Sequence, residues 1–236
     1  MRGYTPEQMR RDDEHTLQRR ILDTVRDAGY VLLDPIETDD PDAMLLDLIS
    51  SCFEPVTHFR NPMVMDLRPQ RGMDPTSYAG AARVALHTDR AYVPRPPRYI
   101  VMMCIVPDTD GGESEIADGA AALAMLDEAM IRELRESEFP FLEAAGSERV
   151  GFTGPILSES SNGRDDIRFR RDLLPAHAGS AVTELGRALR RCTIRIDVRP
   201  GSVWIVDNHR VLHGRTELHD GVDSKRHLKR MYAEER

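Results

Sequence analysis

The sequence predicts a mainly β protein with flanking helices, in which packed sheets form a sandwich and the helices buttress it. Three observations predict this class. Short apolar stretches bounded by Gly, Pro, Asn or Asp recur along the chain, as in Tyr30 to Leu33, Tyr99 to Val106 and Val203 to Asp207. Helical periodicities are concentrated outside the strand-rich half. No Pro/Gly/Ser-rich linker or composition shift divides the 236 residues, so one domain over 1–236 is expected.

Taken in order, Thr5-Pro6-Glu7-Gln8 supplies an N-cap, a first-turn proline and a polar third residue. It opens a helix that carries Leu17, Ile21, Leu22 and Val25. Gly29 ends it, and Tyr30 to Leu33 reads as a strand. Asp40-Pro41 opens a second helix through Met44, Leu45, Leu48 and Ile49. The run Tyr99 to Val106 is a buried strand. The turn Asp110-Gly111-Gly112 should pair it back, as a hairpin, with Glu113 to Asp118. Asp118 then caps a third helix bearing Leu123, Leu126, Met130 and Leu134. Strand-like stretches follow at Arg149 to Phe152 and Asp166 to Arg170, separated by the polar loop Glu159 to Arg164. A helix near Val182 to Arg191, a strand from Thr193 to Val198, a turn at Arg199 to Ser202, the strand Val203 to Asp207 and a last strand from Arg226 to Tyr232 complete the chain.

Composition excludes several classes. A net charge of −8 argues against nucleic-acid binding, which needs a basic face. The longest apolar run is far short of a membrane span, so no membrane partner is expected. The N-terminus lacks the apolar core of a secretory signal, and the three cysteines, Cys52, Cys104 and Cys192, are scattered and odd in number. A cytoplasmic protein without a disulfide framework is therefore expected. Cys104, in an apolar strand, reads as a small buried hydrophobe rather than a nucleophile.

The chemistry concentrates in His87-Thr88-Asp89 and in the distant His213. Two imidazoles and one carboxylate on one face of an ion, with positions left open opposite, form the ligand set of non-haem Fe(II) oxygenases. The H-x-D pair alone is weak, since eight histidines in so acidic a chain should give about 1.4 H-x-[DE] matches by chance. In a regular strand His87 and Asp89 share one face, while His213 must come from a different strand.

Context strengthens the pair. P-P-x-Y lies at Pro96 to Tyr99, G-G-x-S at Gly111 to Ser114, V-D-N-x-R-V-L-H-G-R at Val206 to Arg215, and R-x-L-x-R-x-Y at Arg226 to Tyr232. This ordered set resembles the taurine dioxygenase and clavaminate synthase-like superfamily of Fe(II)/2-oxoglutarate-dependent oxygenases, over nearly the whole chain. The resemblance implies a double-stranded β-helix, or jelly roll, with His87, Asp89 and His213 as Fe(II) ligands, and with 2-oxoglutarate and O2 as cosubstrates. It places Arg226 on the distal carboxylate of 2-oxoglutarate, with Ser114 beside it where family members often have threonine. Arginine suits that task because its planar fork matches a carboxylate and stays charged.

Arg230, four residues on, shares a face with Arg226 in a regular strand, and the resemblance to sulfonate oxygenases of this superfamily, in which the matching arginine touches the prime substrate, implies that it is a candidate anion clamp. Arg83 and Arg90, which flank the first ligands, are weaker candidates, and Arg168 reads as an exposed structural cation. Arg215 should brace the distal turn, and Asn208 and His209 read as turn residues. The implied reaction is oxidation, most simply hydroxylation, of a C–H bond in a small amino-acid-like or anionic metabolite, with release of succinate and CO2. Desaturation or cyclisation uses the same ligands. A carrier-protein-tethered substrate and a homo-oligomer are further possibilities. A non-catalytic metal-binding jelly roll and a hydrolytic zinc enzyme are the readings from other classes.

Overall fold

A computed structural model describes residues 14–57, 62–108, 110–145, 148–160 and 163–236. The expected start of the first helix at Thr5 lies outside these residues, as does Asn162 of the polar loop. Helix α1 (Glu14–Ala28) ends at Gly29, whose positive φ of 79° suits a residue without Cβ. Strand β1 (Tyr30–Leu33) follows, then α2 (Pro41–Cys52), capped by the Asp40 carboxylate, which accepts from the Ala43 N–H at 3.1 Å.

The larger sheet is antiparallel. It runs β1, β12 (Val203–Asp207), β5 (Tyr99–Val106), β14 (His227–Glu234), β2 (Glu54–Val56), with β3 (Met65–Leu67) also paired to β14. The smaller sheet runs β11 (Thr193–Arg195), β6 (Ser114–Asp118), β13 (Val211–Arg215), β4 (Val84–His87).

Period-two alternation sorts side chains into layers. From the larger sheet, Val101, Met103, Val203, Ile205 and Met231 pack outward against Ile21, Val25, Leu45 and Ile49 of α1 and α2. Their neighbours Ile100, Cys104, Trp204, Val206 and Leu228 point inward and meet Ile116 and Val211 of the smaller sheet. The outer face of the smaller sheet, with Leu86, Ala117 and Leu212, is covered by Ala181, Val182 and Leu185 of α5 (Ser180–Arg191). Both sheets therefore have one face on helices and one on the inter-sheet space, where the polar site lies.

Four expectations are corrected. β5 and β6 do not form a hairpin. Gly111 and Gly112 both take positive φ, the Gly112 N–H donates to the Glu217 carbonyl, and the chain crosses to the other sheet, where β6 pairs with β11 and β13. The helix after Asp118 is two: α3 (Gly119–Leu123) closes in a turn, and Asp127 recaps α4 (Glu128–Glu136) by accepting from the Met130 N–H at 2.8 Å. A hairpin of β7 (Phe139–Ala145) and β8 (Glu148–Gly154) replaces the single strand expected near Arg149. The strands expected at Asp166 to Arg170 and Thr193 to Val198 are shorter: β10 (Asp165–Ile167), paired with β9 (Leu157–Glu159), and β11.

Candidate active site

β4 ends at His87, so Thr88 and Asp89 lie just past the strand. The shared-face argument for a regular strand therefore does not apply. The turn instead brings Asp89 back beside His87. His213 sits on β13 directly opposite His87 in the register, and the imidazole centroids are 4.4 Å apart. One ligand atom from each of His87, Asp89 and His213 lies within 4.8 Å of the others. Asp89 Oδ1 is 3.3 Å from His87 Nε2 and 3.9 Å from His213 Nε2.

The protonation pattern suits a metal. His87 Nδ1 is 2.9 Å from the Ala85 carbonyl, which can only accept, so Nδ1 is the donor of that contact and Nε2 is the nitrogen turned to Asp89. Burial, followed by the proximity of His87, pushes the His213 pKa down to about 3, so its imidazole is neutral at ordinary pH. His213 Nδ1 is buried without a hydrogen-bond partner among the described residues. Burial alone would raise the Asp89 pKa. The Arg230 charge and the His87 contact outweigh it and hold the carboxylate well below its usual range.

The second oxygen of Asp89 is taken. Arg230 Nη1 donates to Oδ2 at 3.0 Å, and the Tyr232 hydroxyl donates to it at 2.9 Å. Alternation along β14 turns Arg230 and Tyr232 inward together with Leu228. The register shift between His227 and Leu228 leaves Ile105 of β5 unpaired, so β14 keeps its phase. Tyr232 also accepts from Arg90, and burial pushes its phenol pKa up, so it remains a donor toward Asp89. Arg90 has a positive φ of 58°, unusual for a residue with a side chain.

Asn208 does more than turn the chain. Fully buried, its side-chain oxygen accepts from the Asp89 N–H at 2.7 Å, and its amide donates to the Asp89 and Pro97 carbonyls at 3.1 and 2.9 Å. It clamps the backbone that carries Asp89 from both sides. Only its place in the Asp-Asn-His segment hinted at this, because its partner lies 119 residues away.

A cavity of about 420 Å³ opens between the sheets beside these groups. Arg226 lines it, just before β14, with Nε donating to the Gly112 carbonyl at 3.1 Å and Nη2 to Ser114 Oγ at 3.4 Å. Burial, reinforced by nearby Arg215, lowers its pKa to about 10, so it stays cationic at neutral pH. Arg215 is itself buried and donates to the Gly80 and Ala82 carbonyls, bracing the loop before β4.

Not every predicted residue reaches this cavity. Arg83 does not line it and instead pairs with the buried carboxylate of Glu115, which does. Arg168 is not an exposed strand cation. It is partly buried over the Phe152 ring and donates to the Ala91, Val93 and Pro94 carbonyls, holding the loop that follows Arg90. Arg90, Arg230 and Ser114 all line the cavity, as do Tyr92, Glu143 and Arg170, which the sequence alone did not single out.

The chain is similar to several known oxygenases. The chain is 28% identical to gamma-butyrobetaine dioxygenase of Pseudomonas sp. (strain AK-1) over 94% of its own length and 60% of that protein. It is 27% identical to L-asparagine oxygenase of Streptomyces coelicolor (strain ATCC BAA-471 / A3(2) / M145) over 68% of its length and 51% of that protein. It thus spans little more than half the length of these relatives. A crystal structure of asparagine oxygenase in complex with Fe(II), 2S,3S-3-hydroxyasparagine and succinate superposes with a TM-score of 0.77 at 22% identity, covering 93% of this chain and 79% of that one, and so shares the fold. Residues 5–232 match the family model described as taurine catabolism dioxygenase TauD, TfdA family, and the chain belongs to that family.

Proposed function

We propose that the protein is a non-haem Fe(II)/2-oxoglutarate-dependent dioxygenase with a jelly-roll fold, hydroxylating a C–H bond of a small amino-acid-like or anionic metabolite. One observation carries the reading: His87 Nε2, His213 Nε2 and a single oxygen of Asp89 converge, while the other Asp89 oxygen is held by Arg230 and Tyr232. Two imidazoles and a monodentate carboxylate fit Fe(II) in number and softness, and leave its remaining positions to ligands from the cavity. The asparagine oxygenase solved with Fe(II) and succinate supports the same pairing of the metal with the product of the keto acid.

In this reading His87, Asp89 and His213 hold the metal, and Arg226 with Ser114 anchors the distal carboxylate of 2-oxoglutarate. Bound Fe(II), with 2-oxoglutarate and O2, supplies the oxidising power while the keto acid leaves as succinate and CO2. The protein supplies position. Arg230 and Tyr232 fix the orientation of Asp89, Asn208 fixes its backbone, and the inward-facing Ile100, Met102, Trp204 and Val206 give the cavity an apolar wall that limits water. A cavity of this size accepts a small metabolite, free or presented on a carrier. Desaturation or cyclisation would use the same groups.

The test is succinate release from 2-oxoglutarate, with and without O2. It should require Fe(II) and O2 and be lost in His87→Ala, Asp89→Ala and His213→Ala proteins that keep the parent circular dichroism. A folded His87→Ala variant releasing succinate at the parent rate would refute the ligand assignment.

A further inference from the structure

The lining of the cavity is unbalanced in charge. Five arginines face it, Arg90, Arg170, Arg215, Arg226 and Arg230, against the carboxylates of Asp89, Glu115 and Glu143, a surplus of two positive charges. Glu115 is moreover shared with Arg83 and Arg195 outside the cavity. A divalent metal and the 2-oxoglutarate dianion cancel one another and leave the surplus standing. Arginines held partly out of water are costly without countercharge, so the surplus is a property to be matched by a ligand.

Four of the five have visible employment. Arg226 faces Ser114 and the Gly112 carbonyl, Arg215 holds two backbone carbonyls, Arg230 is paired with Asp89, and Arg90 donates to Tyr92 and stacks near the Tyr232 ring. Arg170 differs. Among the described residues its side chain bonds only through Nε, which donates to the exposed carboxylate of Asp172, and neither terminal amino group has a partner there, while the residue lines the cavity.

The position of Arg170 is also fixed to the metal loop. Its backbone bridges His87, the Thr88 N–H donates to the Phe169 carbonyl at 2.8 Å, and the Phe169 N–H donates to Thr88 Oγ1 at 3.0 Å. Its charge is felt at His213. The residue is therefore held beside the reacting centre by backbone contacts that do not depend on its side chain.

We infer that Arg170 is a specificity-determining residue that binds a second carboxylate of the prime substrate, making that substrate a small molecule with two carboxylate groups, of the dicarboxylic amino-acid class. The inference rests on the oxygenase reading above. One carboxylate reaches the Arg230 side of the cavity and the second meets the planar fork of Arg170, which suits carboxylate recognition.

The experiment compares matched probes that differ by one charge: L-aspartate with L-asparagine, and L-glutamate with L-glutamine. Each is titrated calorimetrically under anaerobic conditions into the protein loaded with Fe(II) and 2-oxoglutarate. At least one acid should bind the parent roughly tenfold tighter than its amide, the expected loss for a missing charge-assisted contact. In Arg170→Gln that preference should collapse toward equality, and Arg170→Lys should restore part of it. A parent that favours the amides, or that binds no acid, overturns the inference, as does an Arg170→Gln protein with the parent's acid-to-amide ratio. The visible charge-transfer band of the Fe(II)/2-oxoglutarate complex and slow succinate release are recorded before any probe is added. Absence of both from the parent would overturn the oxygenase reading and this inference with it, whereas their presence with no acid preference overturns the inference alone.

Discussion

Removing a single oxygen, by Tyr232→Phe, tests the idea that Asp89 is a prepared one-oxygen ligand. The ring remains, so packing in the inter-sheet core around Ile100, Trp204 and Leu228 is retained. What is lost is the 2.9 Å hydrogen bond to Asp89 Oδ2, which leaves Arg230 as the only donor to that oxygen among the described residues. A hydrogen bond to a charged acceptor contributes about 1.5–3 kcal/mol, and because the Arg230 contact persists the lower end applies. If most of that is spent on orienting the carboxylate, metal affinity falls by roughly tenfold, the low end of what outer partners of metal ligands usually contribute. Arg230→Met should cost more, because it strips a buried carboxylate of its countercharge and vacates the same oxygen. The assay is anaerobic Fe(II) titration in the presence of 2-oxoglutarate, with Mn(II) as a redox-inert check. The double variant completes a cycle, and the two effects should be non-additive because both act on Oδ2. Metal affinity within about twofold of the parent in Tyr232→Phe, with an unchanged unfolding midpoint, would refute the orienting role.

Other perturbations probe the remaining groups. Arg226→Leu should weaken 2-oxoglutarate binding by roughly tenfold or more, whereas Ser114→Ala should change it only a few-fold, since its contact with Arg226 is long at 3.4 Å; equal effects in a 2-oxoglutarate titration would move the anchor elsewhere. Asn208→Ala breaks three buried hydrogen bonds around Asp89 and should destabilise the fold by about 2–4 kcal/mol in denaturant melts while also lowering metal affinity. A loss of stability with parent-like metal binding would make Asn208 a fold residue only. Burial pushes the Cys104 thiol up to about 11, so alkylation of the native protein near neutral pH should leave Cys104 unmodified by mass spectrometry and label it only after unfolding; rapid native labelling of Cys104 would contradict its inward placement.

How far the sequence could be read depended on the range of the interaction. Local signals carried well: Gly29 and Asp40 delimit the elements they were expected to delimit, because a helix stop and an N-cap are settled within a few residues. The buried strands Tyr99–Val106 and Val203–Asp207 were legible from continuous apolar runs. The hairpin expected at Gly111-Gly112 was misread because two positive-φ glycines fit a tight return and a crossover equally well. The choice is made by contacts with Glu217 and Leu218, about a hundred residues downstream. Helix α4 was merged with α3 because the apolar spacing runs through both, and only the Asp127 carboxylate bonding to Met130 marks the restart.

The site follows the same logic at longer range. The cluster of His87, Asp89 and His213 was legible because each residue sits in a recognisable segment, yet their mutual geometry comes from the register that sets His213 opposite His87 and from a turn, not a strand face, at Asp89. Arginine roles were the least legible, since a guanidinium reaches far and its partner decides its function. Arg83 finds Glu115 and leaves the cavity, Arg168 finds three carbonyls and becomes a loop brace, and Arg230 finds Asp89 before it can meet any substrate. That last pairing changes what an anion clamp can mean here. An anionic substrate reaching Arg230 must share the guanidinium with Asp89, so substrate binding and metal-ligand orientation draw on the same group.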